Sequence, residues 1–165
     1  MKRLLIISLA CVVLMVLAGC DAFAKEKMDY YDETDSTELT GITVDGIGVS
    51  SSKSEMINTF GEPDQVDEVG EPPAEYFIYD QVEFGIKNQQ VFRFIILESH
   101  ALNNGIAPGD KMDKVIEILG ENYYIREDTG SEILGYFDKE NKVSLEFALK
   151  DERVSYILMQ TLETH

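Results

Sequence analysis

Residues 46–63 read GIGVSSSKSEMINTFGEP, and residues 105–122 read GIAPGDKMDKVIEILGEN, so the chain repeats a pattern after 59 positions. Each stretch opens with Gly-Ile, continues with polar residues and then with apolar residues spaced three and four positions apart, and closes with Gly-Glu. Apolar residues at this spacing lie on one side of a short helix that packs against a core. The two stretches therefore predict two structural copies, each built around one helix.

Capping residues predict where the two helices begin. Ser51 or Ser52 is the predicted N-cap of a helix over 52–60, and Glu55 has the spacing of a capping box with Ser52. In the second copy Asp110 is the predicted N-cap of a helix over 111–119. A glycine follows each helix and predicts its end.

Alternating apolar and polar residues after each helix predict antiparallel hairpins. The strands of these hairpins are predicted over residues 82–86, 91–97, 143–149 and 154–159. A weaker signal predicts one more strand before each hairpin, over residues 74–80 and 133–138. A unit of one helix and about three strands buries too little surface to be stable alone. We therefore expect an α+β fold: a globular domain over 40–165 in which two tandem helix-plus-antiparallel-hairpin repeats, 40–99 and 100–162, share one sheet with both helices on one face.

The helix with its closing Gly61-Glu62-Pro63 resembles the repeat of the small lipoproteins that include the outer-membrane assembly component BamE. Two copies in tandem resemble the β-lactamase inhibitory protein group. The resemblance covers residues 41–161, although the second copy has Asn122 in place of the proline. It implies an α+β fold, no cofactor and a function through protein contact.

The N-terminus reads MKRLLIISLACVVLMVLAGC, which has two positive charges, an apolar run and small residues before a cysteine. This order predicts a signal peptide over residues 1–19. Leu17-Ala18-Gly19-Cys20 resembles the lipobox of bacterial lipoproteins, which implies lipid on Cys20, including fatty acyl groups such as palmitate. We therefore expect a protein anchored by lipid on the extracytoplasmic face of the cell membrane. Two acyl chains anchor a protein stably where one binds reversibly.

Acidic residues dominate the rest of the chain. The sequence has 31 acidic and 14 basic residues and a net charge of -17, which becomes -19 once Lys2 and Arg3 leave with the signal peptide. Such a charge excludes a nucleic-acid partner. Residues 20–39 are especially rich in acids and hydroxyl groups and are predicted to form an acidic, flexible tether.

No group of residues in the sequence has the spacing of a catalytic or metal site. His100 and His165 are the only histidines, and neither lies in a zinc motif. The serines at 50–52 lack a nucleophile elbow and a base, so we interpret them as helix caps. We expect a protein that is not an enzyme and that binds neither a metal nor a cofactor.

Tyrosines are the best candidates for partner contact, because too many of them are present for so small a core. The candidates are Tyr76, Tyr79, Tyr123, Tyr124 and Tyr136. Ordinary cross-strand packing is the competing interpretation. We therefore expect a non-catalytic protein-binding or scaffold module of the cell envelope, with an unidentified envelope protein as partner. The alternatives are an inhibitor of a secreted or wall-associated enzyme, with 64–74 or 127–132 as an inserting loop, and a glycan-binding module.

Overall fold

The computed structural model describes residues 25–162 of the 165-residue chain. These residues form a 3-10 helix, Lys27–Tyr30, two α-helices and eight strands. The α-helices are α1 (Lys53–Phe60) and α2 (Met112–Leu119), and the strands are β1 (Gln65–Gly70), β2 (Pro73–Ile78), β3 (Val82–Lys87), β4 (Gln90–Ile96), β5 (Tyr124–Asp128), β6 (Ser131–Asp138), β7 (Val143–Lys150) and β8 (Arg153–Thr161). Within this part of the chain, no helix is long and apolar enough to cross a membrane.

All eight strands lie in one antiparallel sheet with the order β1-β2-β3-β4-β8-β7-β6-β5. The strands that follow α1 make one half of the sheet, and those that follow α2 make the other. The last strands of the two halves, β4 and β8, pair at the centre. The first strands, β1 and β5, are the two edges.

The predicted α+β fold of two helix-plus-hairpin repeats is wrong, because the fold is mainly β. Each helix has only eight residues and is followed by four strands rather than by about three. The sequence pattern did not indicate the edge strands β1 and β5. Every residue of β1 is exposed, and its sequence QVDEVG has no sustained apolar alternation. Backbone pairing with β2 holds this strand in the sheet.

The capping box predicted for α1 is confirmed: the Ser52 hydroxyl accepts from the Glu55 N–H, and the Glu55 carboxylate accepts from the Ser52 N–H. The N-cap predicted for α2 is wrong by one residue. Lys111 holds that position and its side chain makes no capping bond. Asp110 instead accepts from the Ala107 N–H and from the Lys114 ammonium, both at 2.8 Å.

A row of large side chains crosses six strands on the side of the sheet that carries the helices. Its members are cross-strand neighbours in register, and each is no more than 5% exposed: Phe77, Phe84, Phe94, Met159, Leu145 and Tyr136. Met56 from α1 and Val115 from α2 are also fully buried in this core. Burial of each such side chain stabilises the fold by about 1.5–3 kcal/mol, so this row joins the two halves into one core.

Two phenylalanines of β4 test which side of the sheet holds the core. Phe94 is 0% exposed in the row, whereas Phe92 is half-buried near a β-bulge. We expect Phe94→Ala to lower the free energy of unfolding by about 3–5 kcal/mol, because it leaves a cavity. Phe92→Ala serves as the matched control and should cost about 1–2 kcal/mol. Urea-induced unfolding measures both values, and equal losses would contradict this assignment of the core.

Candidate protein-binding face

The side of the sheet opposite the helices is covered over only one of its halves. Residues 26–37, which we call the strap, pass over β5, β6 and β7. The Tyr30 ring stacks on Tyr124 with centroids 5.3 Å apart, and the Tyr31 ring meets Phe137 edge-on at 5.2 Å. The Thr37 N–H donates to the Phe137 carbonyl at 2.8 Å. These contacts bury the sheet beneath the strap.

A buried polar network lies under the strap and centres on Glu146, which is 3% exposed. Its carboxylate accepts from the Tyr124 hydroxyl at 2.7 Å and from the Arg126 Nε at 2.9 Å. The Lys27 ammonium lies 4.0 Å from the second carboxylate oxygen and donates to the Ser144 hydroxyl at 3.2 Å. Because a buried carboxylate is stable only when it is paired, the strap supplies part of what Glu146 requires.

Burial shifts the protonation of two groups in this network. Loss of hydration lowers the pKa of the Lys27 ammonium, and the nearby Glu146 carboxylate opposes that shift. Burial also raises the pKa of the Tyr124 phenol, and Glu146 adds to this shift. Tyr124 therefore stays a neutral donor to Glu146.

The tether predicted over 20–39 does not stand free of the domain along its described part. Leu39 is 1% exposed, and its N–H donates to the Asp138 carboxylate at 3.0 Å. The strap has the composition of a solvated spacer, but its two tyrosines bury enough ring surface to hold it on the sheet. The predicted signal peptide, residues 1–19, and the predicted lipid site, Cys20, lie outside the described residues.

The other half of this side we call the open face. It is formed by Tyr76, Ile78, Phe92, Arg93, Ile95 and Leu158, which lie on β2, β4 and β8. All six side chains are half-buried. The strap makes its ring contacts on β5 and β6 and its lysine donates to Ser144 on β7, where the nearby Arg93 of β4 contributes to the lowered pKa of Lys27.

Gly85 allows two large side chains to lie flat on the open face. A Cβ atom at this position would come within 2.6 Å of Arg93 Cγ and 2.7 Å of the Phe92 ring. The Phe92 ring meets Tyr76 edge-on at 6.1 Å, and the Arg93 guanidinium lies 5.5 Å from the centre of the Tyr76 ring. Arg93 also donates to Glu83 at 3.4 Å. The result is a patch of aromatic edges around one guanidinium.

Of the five tyrosines predicted to contact a partner, only Tyr76 lies on the open face. Tyr79, Tyr123 and Tyr136 are on the helix side, where they pack with the core. The hydroxyls of Tyr79 and Tyr136 donate to the carbonyls of the glycines that end α1 and α2, each at 3.0 Å.

Tyr124 is 4% exposed beneath the strap, and Tyr136 is 0% exposed, so both are wrong as contact residues. The sequence pattern did not single out Phe92, Arg93, Ile95 or Leu158. Alternation along β4 and β8 places Arg93, Ile95 and Leu158 away from the core, which is the one signal that could have found them. Phe92 joins them only because a β-bulge interrupts the alternation at this point.

Among residues 25–162, no group of three or more His, Cys, Asp or Glu side chains is placed to hold a metal ion. His100 lies 2.7 Å from the Asp45 carboxylate and against Phe60, where it joins two loops. The open face presents rings, aliphatic side chains and a guanidinium, the groups that are enriched in protein interfaces.

No protein-family model matches the chain, and no curated protein sequence matches it significantly. An extracellular protein containing a SCP domain from Bacillus anthracis has a TM-score of 0.53 at 12% identity, over 84% of this chain and 50% of that protein. A cysteine-rich secretory protein from Staphylococcus aureus has a TM-score of 0.49 at 10% identity, over 68% and 43%. A candidate β-lactamase inhibitor protein from Streptococcus mutans has a TM-score of 0.32 at 14% identity, over 84% and 99%.

The Bacillus anthracis protein shares the fold of this chain, which spans half of that protein's length. A candidate β-lactamase inhibitor protein is thus among the structural neighbours, but at a TM-score of 0.32, and membership of the β-lactamase inhibitory protein group stays a prediction. The resemblance to the BamE group stays a prediction.

Removal of the stacked ring tests whether Tyr30 holds the strap. We expect Tyr30→Ala to loosen the strap, so that the Thr34 amide, which donates to the Tyr30 carbonyl at 3.0 Å, exchanges its hydrogen at least about tenfold faster. Hydrogen exchange followed by mass spectrometry measures this rate. Tyr76→Ala, on the open face, is the matched control and should leave strap exchange unchanged. An unchanged rate in Tyr30→Ala would show that other contacts hold the strap.

Alkaline pH tests the buried phenol. Because the pKa of Tyr124 is raised above its ordinary value of 10.0, the unfolded chain releases this proton first, and its contribution to stability is lost as pH rises above 10. We expect wild type to lose stability relative to Tyr124→Phe above pH 10, by up to about 1.4 kcal/mol per pH unit. Between about pH 7 and pH 9 the difference should be constant, since the phenol is neutral in both states. Urea unfolding at each pH measures the difference, and a constant difference up to pH 11 would contradict the assignment.

Proposed function

We propose that this protein is a non-catalytic, lipid-anchored binding module of the cell envelope that contacts another envelope protein through its open face. The observation that carries the proposal is the uneven cover of the sheet. One half of the side opposite the helices is sealed by the strap, while the other half presents half-buried aromatic and aliphatic side chains around Arg93. Apolar surface of this kind, set among polar residues, is typical of protein interfaces.

The proposed anchor is the lipid on Cys20. Its support is the order of charge, apolar run and lipobox at the N-terminus, together with a fold shared by an extracellular protein. Cys20 precedes the first described residue by five positions, and five extended residues span about 17 Å. A lipid on this cysteine would therefore hold the domain close to the membrane surface.

The charge of the domain favours a protein partner over the membrane itself. A mature chain with a net charge of -19 is repelled by anionic lipid head groups. The open face, in contrast, presents the groups that bury well against protein. Inhibition of a partner enzyme is the second candidate function, because the β1–β2 hairpin has exposed residues along β1 and at its turn.

Crosslinking in intact cells tests the proposal. We expect wild type to take up a clickable fatty acid, to partition into detergent and to crosslink to one envelope protein. Cys20→Ala should lose both the fatty acid and the detergent partitioning, because no other residue of the lipobox has a thiol. Tyr76→Ala combined with Leu158→Ala should keep the lipid and lose the crosslink.

Ile118→Ala is the matched control, because Ile118 is 40% exposed on α2, on the opposite side of the molecule. It should keep both the lipid and the crosslink. A crosslink that survives the open-face changes would contradict the proposed face, and a Cys20→Ala protein that still carries the fatty acid would contradict the anchor. An activity assay on the captured protein separates inhibition from scaffolding.

A further inference from the structure

The strap is joined to the sheet in two different ways along its length. Its last two residues are held by the main chain: Ser36 forms a β-bridge with Phe137, and the Thr37 N–H donates to the Phe137 carbonyl at 2.8 Å. Within the described part of the chain, no main-chain hydrogen bond joins residues 26–35, which we call the outer strap, to the sheet. The main-chain bonds of the outer strap close turns inside it, as from the Thr34 N–H to the Tyr30 carbonyl.

Side-chain contacts hold the outer strap on the sheet. The rings of Tyr30 and Tyr31 pack on β5 and β6, and the Lys27 ammonium donates to the Ser144 hydroxyl of β7 at 3.2 Å. These contacts can break while every strand pair of the sheet keeps its main-chain hydrogen bonds. The outer strap therefore has the properties of a unit that opens locally, without unfolding of the domain.

The polar network beneath the strap keeps its shortest contacts when the outer strap leaves. Glu146 accepts from the Tyr124 hydroxyl at 2.7 Å and from the Arg126 Nε at 2.9 Å, and all three residues belong to the sheet. The member that would leave is Lys27, whose ammonium lies 4.0 Å from the carboxylate and regains its hydration on release. Release thus avoids the large cost of a buried charge without a partner.

The charge of the outer strap favours release. Its sequence, EKMDYYDETD, has five acids and one base, and the chain as a whole has a net charge of -17. The ion pair of Glu33 is with Lys25, which precedes the strap and is not part of the sheet. Like charges therefore repel the closed strap from the rest of the domain. Salt weakens this repulsion, because exposed charges are screened.

We propose that the outer strap is a releasable latch: residues 26–35 leave the sheet as one unit, while residues 36–39 and the sheet stay in place. Release stops before Leu39, which is 1% exposed and donates its N–H to the Asp138 carboxylate. With the latch closed, five residues from Cys20 span about 17 Å, and after release the sixteen residues up to Ser36 span about 55 Å. The latch thus sets how far the domain reaches from the membrane. This effect on reach rests on the proposed function, whereas release itself does not.

Thiol labelling of Ser144→Cys measures release, because Ser144 is 0% exposed and accepts from Lys27 beneath the strap. The full-length protein is placed in phosphatidylcholine vesicles, and peptide mass spectrometry reads the labelling of each cysteine separately. Val115→Cys is the matched control, since Val115 is 0% exposed on α2 in the core. We expect residue 144 to be labelled at least about tenfold faster than residue 115. Low urea concentrations should speed labelling at residue 115 much more than at residue 144, because release exposes little surface.

Three further measurements test what holds the latch. Tyr30→Ala should speed labelling at residue 144 at least about tenfold, whereas Tyr76→Ala, which changes the open face, should leave it unchanged. A rise in NaCl from about 20 mM to about 200 mM should slow this labelling, because screening weakens the repulsion. In the wild-type protein, the Thr34 amide should exchange its hydrogen faster than the Thr37 amide, which checks release without any substitution.

Energy transfer to the membrane tests the effect on reach. A donor dye is attached at Thr40→Cys, an exposed position just beyond the strap, and the vesicles contain a lipid with an acceptor dye. Tyr30→Ala combined with Tyr31→Ala should lower the transfer, because the open latch lets the domain move away from the membrane. Tyr76→Ala should leave the transfer unchanged.

Equal labelling rates at residues 144 and 115, with the same dependence on urea, would overturn the inference, because the strap would then leave only when the domain unfolds. Release at residue 144 with unchanged energy transfer in the double variant would overturn the effect on reach. Labelling of Cys20 itself would contradict the proposed anchor, while the release measured at residue 144 would stand. If crosslinks in cells depend on Tyr76 and residue 144 is never released, the proposed function stands and this inference fails.

Discussion

The row of buried side chains from Phe77 to Tyr136 is the interaction on which the rest of the structure depends. It crosses the β4–β8 pair at the centre of the sheet, so neither half has a complete core without the other. A half with one eight-residue helix would leave much of its apolar surface in water. Pairing of the two halves in one sheet buries that apolar surface. The side of the sheet opposite the helices is then available for other contacts.

The side of the sheet opposite the helices is covered by the strap in one half and is open in the other, and this difference is the basis of the proposed function. Beneath the strap, Glu146 is held by Tyr124, Arg126 and Lys27, and the rings of the strap exclude water. On the open face, Arg93 has one long hydrogen bond and the rings stay half-buried. The groups beneath the strap thus find their contacts within the chain itself, whereas those of the open face would gain contacts from a partner.

Local patterns predicted local structure well and long-range structure poorly. The Ser52–Glu55 capping box and both helix positions followed from spacing along the chain, because helix ends depend on residues three or four positions apart. Strand β1 was missed because its residues are exposed and lack alternation. The exposure of the tyrosines was predicted poorly for another reason. Tyrosine occurs in cores and on surfaces alike, and the number of tyrosines in a chain does not say which face of a strand each one occupies. Tyr79 and Tyr136 prove to be donors to the helix-terminal carbonyls, a role that only the approach of helix and strand can create.

The sequence by itself determined the excess of acidic residues, the two short amphipathic helices and the hairpins after them, because these depend on composition or on neighbours in the chain. It also carries the predicted leader and lipobox at its N-terminus. Tertiary structure alone decided that the strap, residues 26–37, lies on the sheet, that Tyr76 is half-buried while Tyr124 is buried, and that the buried Nε of Arg93 has no acceptor among the described residues. The physical reason is that exposure and pairing depend on groups far apart in the chain, as with Tyr30 and Tyr124, and no local pattern specifies which of them meet.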